Sequence, residues 1–343
     1  MITGWAKLEE TASYLKKHGW SEGTIRKNPM FVISPIGLGN HLGSVEDVDS
    51  EAYVEATKYA LENGMNVLDT AINYRGMRSE KDLGRGIREA MENGIVTRDE
   101  FMVSTKAGLL FGDITKKLRP ALFLEQILAP KGITEEMFQT LDGGLYHTLN
   151  PAFFEEALSI SLQNLGIETV DVHYIHIPEI SRIKLGETEF YRQLKELFVW
   201  YEEKVAEKKI RYYGLALEIM VFEDDEEAII SLEKVCKIAE EVAGEKHHFR
   251  FIQLPYSKYM QNARVKELQL VAGEQCSIME AAKRLGLQVM GSMPFAMGKY
   301  FDKWSAEQML TFCLEEKDIE ATICGSKNIE HIKAHIKTAK EKR

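Results

Sequence analysis

Four titratable side chains stand where predicted strands end, far apart in the sequence. Asp69 closes one apolar strand, and Tyr74 follows it five residues later. Lys106 and His176 close two further strands. The carboxyl ends of parallel strands gather at one edge of a sheet or one mouth of a barrel, so we expect the four side chains to converge.

This set of functional groups suits the reduction of a carbonyl. Tyr74 has an ordinary pKa of about 10 and keeps its proton at neutral pH, and an adjacent Lys106 ammonium is expected to lower that pKa. Asp69 is the expected partner that keeps a buried lysine charged, while His176 is expected to hydrogen-bond and orient the substrate oxygen. No side chain supplies a hydride, so a redox cofactor is implied.

Each of these residues has a simpler interpretation when it is taken alone. An aspartate after a strand is often a turn or capping residue, and a lysine there is usually solvated. A lone tyrosine or histidine in apolar surroundings usually belongs to the core. The hypothesis of a catalytic site therefore depends on the whole set, because four independent coincidences at compatible positions are much rarer than one.

The composition favours a large globular protein. The chain has 343 residues, of which 45% are hydrophobic, and a formal net charge of −10. This acidic balance argues against a general nucleic-acid or membrane surface, and no apolar run approaches the roughly 20 residues that span a bilayer. The cysteines lie far apart without CxxC spacing, which predicts buried or neutral thiols in a reducing compartment, so we expect a cytoplasmic protein.

The arrangement of predicted elements indicates the fold. Short β-branched or aromatic runs alternate with longer amphipathic stretches, which is typical of βα units on a parallel sheet. Eight strands alternating with about eight helices is the count of an α/β (β/α)8 TIM barrel. The predicted strands are Ile33–Gly37, Asn66–Asp69, Phe101–Thr105, Val170–Ile175, Ile210–Leu215, Phe249–Leu254, Leu287–Gly291 and Ala321–Cys324.

A doubly wound sheet is the structural alternative. It would normally carry a glycine-rich phosphate loop directly after its first strand. Here Gly37 and Gly39 are followed by a third glycine, Gly43, at the wrong spacing for that loop. The barrel is therefore favoured.

Two helices carry readable boundary signals. Asn150 followed by Pro151 predicts an N-cap with proline in the first helical position, and Gly166 predicts the end of the same helix. Ser79 with Asp82 predicts a capping box for an earlier helix.

Two segments fall outside the alternation of strands and helices. Residues 1–30 precede the first strand and form an N-terminal extension, and residues 31–343 are predicted to form a single barrel domain. Residues 109–150 form a long insertion after the third strand. In a barrel this insertion would lie at the active-site mouth, where it is expected to contribute to the substrate wall.

Five ordered motifs are Asp-Thr-Ala-Ile-Asn-Tyr at 69–74, Ser-Glu with Leu-Gly at 79–84, Ser-Thr-Lys at 104–106, Ser-Leu with Leu-Gly at 161–166, and the histidine strand at 170–178. These motifs resemble signatures of the aldo-keto reductase family. The resemblance as a whole runs from about Ile33 to His335 and so covers nearly the whole chain, and the two extra segments resemble those of a bacterial subgroup. The resemblance implies reduction of a small-molecule carbonyl, with Tyr74 as the proton donor.

The resemblance also implies a nicotinamide cofactor. Gln253 stands where the family places a glutamine against the nicotinamide carboxamide. A second segment resembles the loop and helix start with which the family holds the adenosine phosphate. Its residues are Gly325, Ser326, Lys327, His331 and His335. Lys327 implies a partner for a 2′-phosphate and hence NADP, with NAD left open.

Three residues depart from the family pattern. Ala216 and Leu217 replace the usual Ser-Asn pair that binds the carboxamide, and Ser292 replaces an aromatic residue that stacks on the nicotinamide. Two hypotheses follow from this. The first is an NADP-dependent reductase of an aldehyde or ketone, and the second is a catalytically silent barrel that binds nucleotide or a protein partner.

A metal-dependent barrel hydrolase fits the sequence poorly. Such an enzyme would carry an HxH pair on its first strand, and this chain has none. His247 and His248 lie in a polar, loop-like stretch. We therefore predict no metal site.

Overall fold

The computed structural model describes residues 1–141, 144–222 and 225–341. Residues 142–143 of the predicted insertion and residues 342–343 at the end of the predicted domain lie outside these ranges. Residues 223–224, after the fifth predicted strand, lie outside them as well.

Eight parallel strands form a closed barrel in chain order. The closure is made by the last and first strands, whose partners run from Thr322 opposite Ile36 to Gly325 opposite Gly39. The predicted (β/α)8 barrel is thus confirmed, and the doubly wound alternative is wrong. The strands, labelled β1 to β8, are Ile36–Gly39, Val67–Asp69, Met102–Ala107, Val170–His176, Ile210–Ala216, Phe249–Pro255, Gln288–Ser292 and Ala321–Gly325.

Eight longer helices surround the barrel, one after each strand. Strands β3 and β4 are buried along their whole length, since side chains cover both faces of the sheet. An N-terminal helix, Leu8–Lys17, precedes the barrel. The surrounding helices, labelled α1 to α8, are Asp47–Glu62, Arg78–Glu92, Pro151–Leu165, Glu179–Ala206, Leu232–Ala243, Ile278–Arg284, Ala306–Glu315 and Ile329–Glu341.

The predicted boundaries of α3 are confirmed. The Asn150 side chain accepts a hydrogen bond from the backbone N–H of Ala152 at 2.9 Å, and Pro151 occupies the first helical position. Gly166 ends the helix with a φ of 69°, a left-handed conformation that favours glycine.

The predicted capping box of α2 is wrong. This helix begins at Arg78, so Ser79 is already helical, and its buried hydroxyl donates to the backbone carbonyl of Asn40 at 2.7 Å. Asp82 pairs instead with Arg75 at 2.7 Å. Tertiary contacts have taken both side chains away from the helix terminus.

The first barrel strand begins three residues later than predicted. Ile33 belongs to a short antiparallel hairpin in which it pairs with Arg26, and this hairpin lies outside the barrel ladder. Pro35 follows, and because it has no N–H it cannot donate to a strand partner. The barrel strand therefore starts at Ile36.

Apolar side chains from the N-terminal region pack against the barrel interior. Ala6, Phe31 and Ile33 share a buried cluster with interior residues such as Val67 and Met102. The backbone N–H of Ala6 also donates to Asp171 at 2.8 Å. These contacts cover the amino-terminal end of the barrel.

The insertion after β3 contains a short hairpin, which contacts α4. Its strands, Gln139–Leu141 and Leu145–His147, are antiparallel. The His147 Nδ1 lies 2.6 Å from Ser181 Oγ, and that hydroxyl donates to Gln139 at 2.7 Å. The insertion is thereby attached to the start of α4.

Three broader features of the described residues concern the cysteines, the helices and the groups of possible metal ligands. All four cysteines are free and buried, as their spacing suggested. Within the described ranges, no helix combines the length and apolar character needed to cross a membrane. The same residues contain no cluster of His, Cys, Asp or Glu that could hold a metal ion.

Candidate active site

A buried ion pair joins the ends of two neighbouring strands. Lys106, the penultimate residue of β3, places its Nζ 2.6 Å from Oδ2 of Asp69, the last residue of β2. The ammonium also donates to the backbone carbonyl of Thr70 at 2.8 Å. Burial of a charged pair is tolerated when each charge has close polar partners, which is the case here.

The second carboxylate oxygen of Asp69 is also bound. Its Oδ1 accepts from Ser104 Oγ at 2.7 Å and from Gln253 Nε2 at 2.9 Å. The predicted cofactor residue Gln253, on β6, therefore contacts the predicted catalytic aspartate directly. Its Oε1 atom stays available as an acceptor.

Tyr74 lies over this ion pair. The Lys106 Nζ is 5.1 Å from the centre of the tyrosine ring. The ring of His176, the last residue of β4, lies edge-on to Tyr74 with centroids 5.6 Å apart. The structure therefore brings Asp69, Tyr74, Lys106 and His176 together at the carboxyl-terminal mouth of the barrel.

The backbone is strained directly after two of these residues. Arg75 and Met77, which follow Tyr74, have φ angles of 47° and 69°, and Ile177, which follows His176, has a φ of 53°. Left-handed backbone costs non-glycine residues about 1–3 kcal/mol and persists only where surrounding contacts enforce it. Such strain often marks a functional site.

Contacts of the Arg75 side chain hold the strained turn. Its buried guanidinium donates to the Ser44 carbonyl at 2.6 Å, to Asp82 at 2.7 Å and to Ser50 Oγ at 3.2 Å. These bonds connect the turn to α1 and α2. They keep Tyr74 over the ion pair.

The pKa of Tyr74 moves in the opposite direction to the sequence-based expectation. Burial raises it well above the ordinary value, and the negative charges of Asp69 and Glu218 raise it further. The expected lowering by Lys106 is not the dominant effect, because that ammonium is already paired with Asp69 at 2.6 Å. Tyr74 is consequently a firmly protonated phenol.

His176 is neutral in this environment. Burial lowers its pKa well below the ordinary value, and the positive charge of Lys106 lowers it further. Among the described residues its buried Nδ1 has no hydrogen-bond partner. A neutral imidazole carries a single N–H donor, which suits an orienting role for a substrate oxygen.

A cleft of about 890 Å³ opens above these side chains. Asp69, Tyr74 and His176 form part of its wall, whereas Lys106 lies beneath the tyrosine ring. Leu109 and Leu145 of the insertion also line it. The volume falls within the range of about 300–1,000 Å³ that is usual for small-molecule and cofactor sites.

The cleft includes four of the six predicted cofactor residues. They are Gln253, Gly325, His331 and His335. His335 is buried and stacks on Phe295 with ring centroids 5.0 Å apart, and burial lowers its pKa to about 4. The cleft therefore reaches from the Asp69–Lys106 ion pair to the loop after β8 and to α8.

The other two predicted cofactor residues point elsewhere. The Ser326 hydroxyl is buried and hydrogen-bonds within its own loop, donating to Asn328 at 3.3 Å. Lys327 forms an ion pair with Asp49 on the first turn of α1. This pairing lowers the pKa of Asp49 to about 2. The Lys327 cation is thus already engaged by a carboxylate.

The departures from the family pattern are visible in the cleft. The side chains of Ala216 and Leu217 are buried and apolar, and Ser292 lines the cleft. Sequence reasoning missed Glu218, which also lines it, and His41, whose ring lies 4.5 Å from that of Tyr74. Glu218 is the first polar residue after β5, which is the signal that could have revealed it.

Comparison with known families agrees with the fold and the motifs. A model described as the aldo/keto reductase family matches residues 35–309. The chain belongs to the aldo/keto reductase family. The predicted family resemblance is therefore confirmed.

Similar curated proteins are matched over part of their length. A horse aldo-keto reductase family 1 member C23-like protein is 28% identical over 47% of this chain and 36% of its own length. The NADH-specific methylglyoxal reductase of Escherichia coli is 24% identical over 50% of this chain and 42% of its own length. The chain thus spans less than half of each of these relatives.

Solved structures share the fold at low sequence identity. A Klebsiella pneumoniae aldo/keto reductase, solved with NADP and acetate, has a TM-score of 0.60 at 18% identity, covering 93% of this chain and 90% of its own. A Gluconobacter oxydans glycerol dehydrogenase has a TM-score of 0.59 at 16% identity, with the same coverages. Likeness at this level establishes the common barrel.

Proposed function

We propose that this protein is a nicotinamide-dependent reductase of an aldehyde or ketone. The observation that carries the proposal is the convergence of Tyr74, His176 and the Asp69–Lys106 ion pair at one part of a cleft that extends to α8. A proton donor, an orienting imidazole and room for a dinucleotide are what carbonyl reduction requires.

The residues along the cleft fit a dinucleotide. Gln253 is fixed by its bond to Asp69 and keeps an acceptor oxygen for a carboxamide N–H. The buried Nδ1 of His335 has no partner among the described residues, and this side chain lines the cleft. The loop from Gly325 leads into the first turn of α8, and such helix starts favour phosphate groups.

Each catalytic side chain has a defined task in this proposal. The bound cofactor supplies the hydride, and Tyr74 donates a proton to the carbonyl oxygen as negative charge develops there. A developing alkoxide is a much stronger base than a phenolate, so a phenol with a raised pKa still donates to it. His176 hydrogen-bonds the same oxygen, and the Lys106 ammonium stabilises the charge left on Tyr74.

We propose NADP(H) as the cofactor. The Klebsiella reductase with the same fold was solved with NADP. Lys327 stands on the loop after β8, near the cleft residue Gly325, and is the cation nearest in sequence to the predicted phosphate site. Its ion pair with Asp49 must open or be shared when a 2′-phosphate binds.

The test of the proposed function is NADPH oxidation with a panel of aldehydes, using the wild type and Tyr74→Phe. We expect the wild type to oxidise NADPH with at least one aldehyde and the variant to lose about 10²- to 10⁴-fold in kcat, because the ring remains while the proton donor is removed. Cofactor binding, followed by tryptophan fluorescence, should stay close to that of the wild type. Equal rates for the two proteins would remove Tyr74 from the mechanism.

A catalytically silent barrel is the second candidate. It is favoured by the apolar, buried side chains of Ala216 and Leu217, which offer no hydrogen bond to a carboxamide. It predicts tight NADPH binding without turnover on any carbonyl compound. The same fluorescence titration and aldehyde panel separate the two candidates.

A further inference from the structure

Glu218 brings a carboxyl group to the cleft beside the proposed catalytic residues. Strand β5 ends at Ala216, and the next side chain, Leu217, is packed into the core. Glu218 is half-buried and contributes to the same wall as Tyr74 and Gln253. The cleft thus has an acidic group at a point where its immediate neighbours in sequence are apolar.

The backbone of Glu218 is held in place from both sides. Its N–H donates to Oε1 of Glu179, the first residue of α4, at 2.7 Å. Its carbonyl accepts from the N–H groups of Val221 and Phe222, each at 3.1 Å. The Glu218 side chain therefore extends from a fixed position, as expected for a residue that contacts a ligand in a defined way.

The carboxyl group itself is not committed to a partner. Within the described part of the chain, its oxygens take part in no hydrogen bond or salt bridge that meets ordinary geometric criteria. The neighbouring cation, Lys106, is already held by Asp69 and Thr70. Burial raises the pKa of the Glu218 carboxyl, and the positive charge of Lys106 opposes this shift. When ionised, Glu218 in turn raises the pKa of Tyr74.

A carboxylate in this position attracts or repels a charged ligand that enters the cleft, according to the sign of the ligand's charge. A substrate carboxylate beside it would place two like charges in a partly desolvated site, which is unfavourable. A cationic group would gain an ion pair there without displacing an existing one. Neutral carbonyl compounds fall between these two cases.

We infer that Glu218 selects substrates by charge, favouring carbonyl compounds with a cationic group and disfavouring those with a carboxylate. This inference rests on the reductase function proposed above and adds the class of substrate. Glu218 is a specificity residue in this account, since Tyr74 and His176 supply the groups that meet the reacting oxygen.

The experiment compares the wild type and Glu218→Gln with three benzaldehydes that carry a para-carboxylate, a para-methyl or a para-trimethylammonium group. The value of kcat/KM with NADPH is measured for each at about pH 8, which favours the ionised carboxyl. For each aldehyde, the kcat/KM of the variant is divided by the kcat/KM of the wild type, so that differences in the intrinsic reactivity of the aldehydes cancel. Relative to the methyl compound, we expect this ratio to rise about tenfold for the carboxylate and to fall about tenfold for the ammonium compound.

Glu307→Gln provides the matched control. Glu307 also lines the cleft, from the first turn of α7, and carries the same side chain. Its substitution should change the kcat/KM values for the three aldehydes by one common factor. A charge-dependent change of the same size in Glu307→Gln would overturn the inference, because the general field of the cleft would then be responsible.

Two further outcomes are distinguishable. If Glu218→Gln changes kcat/KM equally for all three aldehydes and weakens NADPH binding, the carboxyl acts on the cofactor. The inference about substrate charge is then wrong. If the wild type oxidises NADPH with none of the aldehydes, the proposed function itself fails, and the inference fails with it. Turnover without a charge-dependent shift overturns the inference alone.

Discussion

Each end of the barrel holds a buried pair of a carboxylate and a cation, yet the two pairs have different surroundings. At the amino-terminal end Arg98 contacts Asp171 at 2.6 Å, with side chains 3% and 0% exposed. At the carboxyl-terminal end Lys106 contacts Asp69 at 2.6 Å, with side chains 1% and 5% exposed. The distance between the charged groups and their burial therefore do not distinguish a structural ion pair from the one proposed to act in catalysis.

The difference lies in what covers each pair. Asp171 is enclosed by backbone donors, accepting from Ala6 at 2.8 Å and from Val103 at 2.8 Å, while Arg98 donates to the Phe101 carbonyl at 2.8 Å. On the side that faces the cleft, the Asp69–Lys106 pair contacts the ring of Tyr74 instead of backbone groups, and Asp69 itself lines the cleft. An enclosed pair connects parts of the fold, whereas a pair at the base of a cleft is able to act on a ligand.

The first prediction replaces the cation of each pair by an apolar residue of similar length. Lys106→Met should lower reductase kcat about a thousandfold, because charge developing near Tyr74 loses its stabilising ammonium. Arg98→Met should instead lower the free energy of unfolding by about 3 kcal/mol or more, since it leaves Asp171 buried and uncompensated. Asp69 is buried but lines the cleft, where water can enter once the ammonium is removed, so Lys106→Met should cost less stability.

Chemical denaturation and NADPH oxidation on both variants measure this comparison. The activity of Arg98→Met should be close to that of the wild type under conditions in which the variant is fully folded. Equal losses of stability in the two variants would show that the open and enclosed pairs do not differ in the way described.

The second prediction concerns Glu179, a buried carboxyl that accepts a hydrogen bond from the backbone N–H of Glu218. Burial raises its pKa from 4.5 to about 8, and its Oε2 has no partner among the described residues. The folded protein therefore keeps this proton up to about pH 8, whereas the unfolded chain releases it near pH 4.5. The contribution of Glu179 to the free energy of unfolding must therefore fall as pH rises between these values, by at most about 1.4 kcal/mol per pH unit.

Glu179→Gln should remove this slope. The difference in unfolding free energy between variant and wild type should grow in favour of the variant from about pH 5 to pH 8. Glu203→Gln, an exposed residue of the same helix, serves as the control and should show a flat difference. A flat difference for Glu179→Gln as well would mean that the Glu179 carboxyl is ionised throughout this range.

The third and smallest effect tests the far part of the cleft. Asp49→Asn should free Lys327 and remove a negative charge beside the proposed 2′-phosphate, raising the preference for NADPH over NADH about tenfold. Dissociation constants for both dinucleotides, from tryptophan fluorescence, give this ratio. Asp47→Asn, in the same helical turn but paired with Arg78, should leave the ratio as it is. An unchanged ratio in Asp49→Asn would place the phosphate elsewhere.

The order of elements, and the four side chains that converge at the mouth of the barrel, could be predicted from the sequence. Strand β4 was expected at Val170–Ile175 and lies at Val170–His176, because its β-branched and aromatic residues favour a strand. The start of the first strand was predicted three residues too early, because the apolar run includes Ile33, which belongs to a hairpin outside the barrel. Ser79 was misassigned because its hydroxyl bonds to a residue 39 positions away.

Residue types and spacing therefore determined the barrel, the family and the four side chains that meet at its mouth. Only the tertiary structure decided how those side chains influence one another: Lys106 forms an ion pair with Asp69 at 2.6 Å, Lys327 forms an ion pair with Asp49, and Glu218 lines the cleft. The physical reason is that pKa values and ion pairing depend on burial and on distances between groups that are remote in sequence. Local patterns in the sequence determine neither the burial of these groups nor the distances between them.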